Sequence, residues 1–287
     1  MKPANLKTKI FLDSGDPEET KQVLTILGFL DGQTTNPSLI AKSPKAQERI
    51  AQGEKFTKEE VNEFYKKVVQ EVSNLIPDGS VSIEVFADAN TSAEEMLIQA
   101  RQMNTWIPNA HIKYPTTAGG LGAAEKSIAE GMRVNMTLVF SEEQAASVYA
   151  ATKGAPEGHV FLSPFIGRLD DTGINGMDFI KNVVELYKNG DGHVEVLAAS
   201  IRSLDHLLAS FAYGAEIVTV PYKVLKDWVD AGTPVPDANF VYGAKNLTPI
   251  DKQDVSLGKN WNEYDISHEL TDKGIKKFVT DWNDLIA

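Results

Sequence analysis

Asn109-Ala110-His111-Ile112-Lys113-Tyr114-Pro115-Thr116-Thr117, followed by Ala118-Gly119-Gly120-Leu121-Gly122, is the stretch on which the fold reading turns. An apolar run that stops at a proline reads as a short strand, and the glycine-rich turn behind it opens a helix beginning near Ala123. Side chains alternate across a strand, so His111 and Lys113 share one face while Ile112 and Tyr114 share the other. Lys113 therefore stands inside an apolar strand. Burial favours its uncharged amine, and such an amine adds to a ketone to give a Schiff base. Taken alone, the stretch reads equally as a strand-end lysine reaching solvent, the ordinary place for a lysine. The flanking sequence decides between the two.

The strand-to-helix unit recurs on both sides. Upstream, 7–13 is an apolar run ending in Asp13, and Asp16-Pro17 opens a helix with an N-cap and a proline at its first position. Residues 31–36 are a short extended piece, and Pro37 starts another helix. Residues 44–60 are charged and irregular and read as an exposed insertion, before a helix over 58–76, a strand over 81–86 and a helix over 92–104. Downstream, strands fall at 134–140, 159–165, 193–200 and 217–222, with helices after Ser141 and over 177–188 and 203–212. Strands alternating with helices make a parallel α/β sheet, and eight of them at this length close into a (β/α)8 TIM barrel. No composition shift divides the chain, so 1–287 reads as a single domain, with a core barrel at about 7–231 and a C-terminal helical tail at about 232–287. In that tail, 232–265 is loop-like. The stretch 271–286 is an amphipathic helix with Ile275, Phe278, Val279, Trp282 and Leu285 on one face. Three placements suit that face equally: over the barrel mouth, on a partner subunit, or on the barrel wall.

Composition narrows the function classes. A hydrophobic content of 42% with 24% charged residues is that of a soluble globular protein. The absence of cysteine removes disulfides, thiolate metal sites and cysteine nucleophiles. A net charge of -12 argues against nucleic acid and anionic membrane as partners, although a small anion needs only a local cationic pocket. The N-terminus lacks an apolar signal region and no apolar run is long enough to span a bilayer, so a cytoplasmic location is expected. His111, His159, His193, His206 and His268 show no ligand spacing, so no metal is expected. Gly120-Leu121-Gly122 imitates a dinucleotide fingerprint, but Glu125 occupies the third glycine position.

The polar residues inside the strands point to chemistry. Ser82 and Glu84, His111 and Lys113, Asn135 and Thr137, and Ser163 and Phe165 are each two apart, so each pair shares one strand face. Aliphatic neighbours such as Ile83, Val85, Met136 and Leu138 take the other face, towards the helices. Polar groups at the C-terminal ends of successive strands face the barrel mouth, where sites of this architecture lie. A lysine, the carboxylates Asp13 and Glu84, hydroxyls and an amide suit amine catalysis with acid–base help.

In order along the chain stand Leu12-Asp13-Ser14-Gly15-Asp16, Thr34-Thr35-Asn36-Pro37-Ser38-Leu39, Ser82-Ile83-Glu84-Val85 and Ile112-Lys113-Tyr114-Pro115. Val134-Asn135-Met136-Thr137-Leu138-Val139-Phe140-Ser141, Ser163-Pro164-Phe165-Ile166-Gly167-Arg168 and Ala199-Ser200-Ile201-Arg202 follow. Each motif alone is weak, but in this order and spacing the chain resembles the class I, Schiff-base-forming transaldolase family, over about residues 10–222. The resemblance implies transfer of a dihydroxyacetone unit from a ketose phosphate (sedoheptulose 7-phosphate or fructose 6-phosphate) to an aldose phosphate (glyceraldehyde 3-phosphate or erythrose 4-phosphate). That is a step of the non-oxidative pentose phosphate pathway, and it implies no metal or organic cofactor. By the same resemblance Lys113 is the Schiff-base lysine and Asp13 the acid–base carboxylate, while Glu84 and Thr137 hold a water that shuttles protons. Asn36 and Asn135 hold substrate hydroxyls, and Thr34, Ser82, Ser163 and Phe165 line the pocket. Arg168, Ser200 and Arg202 grip the phosphate, for which a guanidinium fork is well shaped. Tyr114 departs from the small or aliphatic residue usual in the family; facing the helices, it implies altered packing. The tail matches loosely, which leaves a homo-oligomer such as a dimer open. Two other classes are weighed. A lyase on the same scaffold, cleaving fructose 6-phosphate without transfer, carries glutamine at the place of Glu84 and tyrosine at the place of Phe165. A non-catalytic sugar-phosphate binder needs neither Lys113 nor Asp13.

Overall fold

Strand alternation makes each strand two-faced, with aliphatic groups towards the helices and polar or aromatic groups inward. In the computed structural model, which describes residues 2–237, 239–244 and 246–287, the first strand is β1 (Lys9–Asp13). It leads to α1 (Pro17–Leu27), whose N-cap Asp16 accepts a hydrogen bond from Glu18 N at 3.0 Å. β2 (Gly32–Thr34) is followed by α2 (Pro37–Lys42), α3 (Pro44–Ala51) and α4 (Lys58–Leu75). The next three units are β3 (Ser80–Glu84) with α5 (Ala93–Met103), β4 (Ala110–Pro115) with α6 (Ala118–Ala129), and β5 (Val134–Val139) with α7 (Glu142–Ala151). β6 (Val160–Pro164) is followed by α8 (Ile166–Asp170) and α9 (Gly176–Tyr187). β7 (Val194–Ala198) leads to α10 (Leu204–Ala212), and β8 (Ile217–Val220) to α11 (Tyr222–Asp230). A 3-10 turn at Trp261–Glu263 precedes α12 (Glu269–Asn283).

The strands pair in parallel and in sequence order, and β8 returns to β1 from Lys9↔Ile217 to Leu12↔Val220, closing the expected eight-stranded barrel. Several local expectations are corrected. Residues 44–60 are mostly exposed, as expected, but not irregular throughout: Pro44 opens α3, Ala46 and Phe56 are buried, and Phe56 N donates to Leu285 O at 2.8 Å. The helix after β4 starts at Ala118, five residues before the expected Ala123, because Thr117 caps Gly120 N at 3.1 Å. The glycines belong to its first turns, where a Cβ on Gly120 would lie 1.9 Å from Pro115 O. α8 and α11 are not among the expected helices, and Arg168 lies on α8. The loop-like reading of 232–265 holds apart from the 3-10 turn; Ala238 and Lys245 within it, and Met1 at the N-terminus, lie outside the described residues.

The lower end of the barrel is plugged. Phe11 packs edge-on to Phe161 at 5.8 Å, and His111 stacks on the same ring at 4.0 Å. Burial pushes the His111 imidazole down to about 3, so it is neutral. Its Nε2 donates to Gly158 O at 3.0 Å, leaving Nδ1 to accept from Ser80 Oγ at 2.7 Å. Tyr114 faces α6 as expected, with its phenol 2.7 Å from Ser127 Oγ. At the upper end, α12 packs on α2 and β5: Ser38 Oγ donates to the Asp281 carboxylate, and Thr271 Oγ1 donates to Leu138 O at 2.9 Å. Of the three placements open for the tail helix, the structure takes the one at the mouth. No described helix is long and apolar enough to cross a membrane.

Candidate active site

Register brings the central pair together. β3 and β4 align Glu84 with Lys113, and both side chains are about 3% exposed. Lys113 Nζ lies 2.9 Å from Glu84 Oε2 and 3.5 Å from Thr35 O. Glu84 Oε2 is thus paired with the lysine and has no further hydrogen-bond partner among the described residues. Burial pushes the Glu84 carboxyl above the usual carboxylate range, and the Lys113 charge pulls it back in part. On β5, the strand on the other side of Lys113, the hydroxyl of Thr137 is buried with no hydrogen-bond partner among the described residues. A buried polar group left unpaired costs about 1–3 kcal/mol, so this hydroxyl marks a seat for a water or a substrate oxygen.

Asp13 ends β1 and accepts from Thr34 Oγ1 at 2.9 Å; that hydroxyl is also 2.6 Å from Thr219 Oγ1 on β8. Desolvation raises the Asp13 carboxyl, against the opposing pull of Lys113, the Thr34 hydrogen bond and Arg202. Asn36 has a double task. Its Oδ1 accepts from Leu39 N at 2.9 Å and caps α2, which leaves its Nδ2 free of protein partners among the described residues. A buried ladder crosses three strands below: Ser163 Oγ donates to Asn135 Oδ1 at 2.7 Å, and Asn135 Nδ2 donates to Ser82 Oγ at 3.0 Å. This ladder fixes the Asn135 amide.

Two guanidinium groups sit differently. Arg168 is sandwiched between Phe165 at 5.2 Å and Phe278 at 5.5 Å, and among the described residues no hydrogen bond or ion pair holds it. Burial lowers its pKa from the usual arginine value. A half-buried guanidinium without an anion is a site prepared for one. Arg202 is exposed and already engages Asp171, Nη2 to Oδ2 at 3.0 Å. Ser200 is held at φ 61°, a left-handed conformation rare for serine, while Gly167 N donates to its carbonyl at 3.2 Å.

A cleft of about 610 Å³ at the C-terminal end of the barrel gathers Asp13, Thr34, Asn36, Lys113, Ser163, Phe165, Arg168, Ser200 and Arg202. Ser82, Glu84, Asn135 and Thr137 are buried behind these residues and do not line it. Depressions of about 610 and 670 Å³, under the 255–261 loop and at the lower barrel end, contain no buried amine. The cleft also includes Thr219 and Phe278, which sequence reasoning missed as site residues. Thr219 carried the same signal as the others, a hydroxyl alternating with aliphatic residues in a strand. Phe278 was visible only as one member of an apolar helix stripe. Among the described residues, no group of three or more histidine or carboxylate side chains is arranged to hold a metal.

The chain matches the family described as Transaldolase/Fructose-6-phosphate aldolase over residues 10–287. A probable transaldolase of Dehalococcoides mccartyi is 38% identical over 274 residues, spanning 96% of this chain and 97% of that one. One of Herpetosiphon aurantiacus is 36% identical over 274 residues, 96% of this chain and 94% of that one. One of Alkaliphilus metalliredigens is 36% identical over 278 residues, 97% of this chain and 99% of that one.

Proposed function

Because the chain belongs to the transaldolase/fructose-6-phosphate aldolase family, we propose that this transaldolase-type enzyme carries a dihydroxyacetone unit from a ketose phosphate to an aldose phosphate as an imine on Lys113. The observation that carries the reading is the buried Lys113–Glu84 pair, flanked by the unsatisfied Thr137 hydroxyl at the floor of a cationic cleft. The donors are sedoheptulose 7-phosphate and fructose 6-phosphate, and the acceptors glyceraldehyde 3-phosphate and erythrose 4-phosphate, as in the non-oxidative pentose phosphate pathway.

Lys113 Nζ adds to the ketone carbon. A water between Glu84 and Thr137 relays a proton to the departing hydroxyl, which leaves as water from the carbinolamine. Elevation of the Glu84 carboxyl by burial suits a group that must take up and return that proton. The product is a protonated imine. Asp13 then removes the proton of the C4 hydroxyl, the C3–C4 bond breaks, and its electron pair enters the iminium to give an enamine. The aldose phosphate leaves. The iminium, by accepting that pair, supplies the main electrostatic stabilisation. With an acceptor aldehyde bound, the enamine carbon attacks, Asp13 returns its proton to the new alkoxide, and hydrolysis frees the lysine. Asn36 Nδ2 is placed to donate to a sugar oxygen, and Arg168 with Arg202 and Ser200 holds the phosphate.

A lyase would protonate the enamine and release dihydroxyacetone. Glu84 and Phe165 both depart from the glutamine and tyrosine of that branch, which favours transfer. Borohydride reduction with fructose 6-phosphate, followed by peptide mass mapping, tests the reading. A dihydroxyacetone-sized addition on the peptide holding Lys113 is expected, and a label on another lysine or none at all refutes it. Product analysis with and without an aldose acceptor separates transfer from cleavage.

A further inference from the structure

Tyr65 lies on α4, outside the barrel, yet its phenol reaches the sheet where β2 and β3 end. Glu84 N donates to Tyr65 Oη at 2.9 Å. Thr35 Oγ1 donates to Ser82 O at 2.7 Å, which commits its only hydrogen. The 2.6 Å contact between Tyr65 Oη and Thr35 Oγ1 therefore has the phenol as donor. The directions of these three hydrogen bonds follow: Glu84 N–H to Tyr65, Tyr65 O–H to Thr35, Thr35 O–H to the Ser82 carbonyl. The two residues joined by the phenol are the two that Lys113 Nζ approaches, the Glu84 carboxylate at 2.9 Å and the Thr35 carbonyl at 3.5 Å. The ring has no freedom to wander, since Trp106 at 6.0 Å and Trp282 of α12 at 5.9 Å meet it edge-on. The charges acting on Glu84 come from Lys113 on β4, Arg168 on α8 and Asp13 on β1; from α4 it meets only the neutral phenol.

We propose that Tyr65 is a positioning residue that sets the Glu84–Lys113 pair from outside the barrel, by fixing at once the two backbones that carry the contacts of the amine. The proposal rests on Lys113 as the working amine. A tyrosine that served only to fasten α4 to the sheet would gain as much from any strand carbonyl or amide. Here its single oxygen holds the strand end that aims the carboxylate.

Tyr65→Phe keeps the ring between the tryptophans and removes only the hydroxyl. The Glu84 amide then loses its acceptor, the strand end relaxes, and the carboxylate draws away from Lys113. An ammonium with less carboxylate beside it gives up its proton more readily. Reductive methylation with formaldehyde and cyanoborohydride, mapped by peptide mass, reads the free amine of Lys113 against pH with no sugar present. Half-maximal labelling is expected at least about half a pH unit lower than in the parent, roughly a threefold change in the proton equilibrium. Turnover is expected to fall roughly tenfold through misplacement of the pair, with KM for phosphorylated sugars within about twofold, since Arg168 is untouched. Thr35→Val removes the phenol's acceptor and should give the same displacement, with the double variant no worse than either alone. If Tyr65→Phe does not fold, Thr35→Val carries the same test. A labelling profile that superimposes on the parent's, even with a lowered Tm, overturns the proposal and leaves Tyr65 a fastening of α4. Because methylation needs no substrate, this result is read independently of whether Lys113 forms an imine with fructose 6-phosphate.

Discussion

Adding one methyl group at Gly274 should weaken phosphate binding without touching the lysine. Gly274 is where α12 crosses Arg168. A Cβ there would lie 2.6 Å from Arg168 Nη1 and 2.6 Å from Leu138 Cδ2, about 0.8 Å inside the 3.4 Å at which ordinary contact begins. Leu138 cannot retreat: it is fully buried, held at φ 60°, and its carbonyl accepts from Thr271 Oγ1 at 2.9 Å. Arg168 is the softer neighbour, held only by the faces of Phe165 and Phe278. The guanidinium therefore shifts by about the overlap and loses alignment with its anion. A hydrogen bond between charged groups contributes about 1.5–3 kcal/mol. Its loss raises KM for fructose 6-phosphate roughly tenfold to a hundredfold at 1.4 kcal/mol per decade. Unphosphorylated dihydroxyacetone donors should change by less than about twofold, because they never reach Arg168. Stability should move little, since the gain of about 1 kcal/mol for alanine over glycine in a helix offsets much of the roughly 1–3 kcal/mol of overpacking. The assay is initial rates for the two donor types with one acceptor, alongside Tm. Equal losses on both donors would show that α12 itself had moved, and an unchanged KM for the phosphorylated donor would show that Arg168 does not carry the phosphate.

Arg168→Ala should raise KM for phosphorylated sugars more than Arg202→Ala does, because Arg168 is half-buried and unpaired while Arg202 is exposed and shared with Asp171; the reverse order in steady-state kinetics would refute this. Asp13→Asn should abolish turnover yet raise Tm at neutral pH. Burial raises the Asp13 carboxyl above its ordinary 3.8, so the native state binds the proton more tightly than the unfolded state. Stability at this residue is then highest below the unfolded value and falls as pH rises towards the folded one, so the gain from asparagine should be present at pH 8 and vanish near about pH 4. Thermal melts of both proteins at the two pH values decide it, and a variant less stable than the parent at pH 8 contradicts it. Phe165→Tyr should raise release of free dihydroxyacetone from fructose 6-phosphate and lower transfer, by setting a phenol beside the imine; an unchanged partition would make Phe165 a mere wall.

Much of this arrangement is legible in the sequence because strand alternation is a short-range rule. Lys113, Glu84, Asn135 and Ser163 could be assigned to inward faces from their neighbours two residues away, and the barrel follows from counting such strands. What escaped has a different origin. α8 has only five residues, too few to show a helical period, so the helix that carries Arg168 leaves no signal in the sequence. Gly119, Gly120 and Gly122 read as a turn because glycine disfavours helices. They sit in α6 because Gly119 and Gly120 have no room for a side chain against Thr91 O and Pro115 O. α11 did carry a stripe, Val224, Leu225 and Trp228, which the preceding Pro221 made easy to pass over. Tyr65 and Phe278 were beyond reach on principle: each meets the site across a large sequence separation, and nothing local distinguishes them from other core aromatics.

The aromatic plug of Phe11, His111 and Phe161 turns the barrel into a well that opens at the mouth. The neutral imidazole there offers no charged stepping stone for a proton. In the proposed reaction, whatever leaves Lys113 goes out by the mouth, the route along which the next molecule comes in. For a transfer between two sugars this imposes traffic in turns: the first aldose clears the mouth before the second approaches. In the proposed reaction the enamine on Lys113 sets the ping-pong order, and three residues at the far end of the barrel confine its traffic to the mouth.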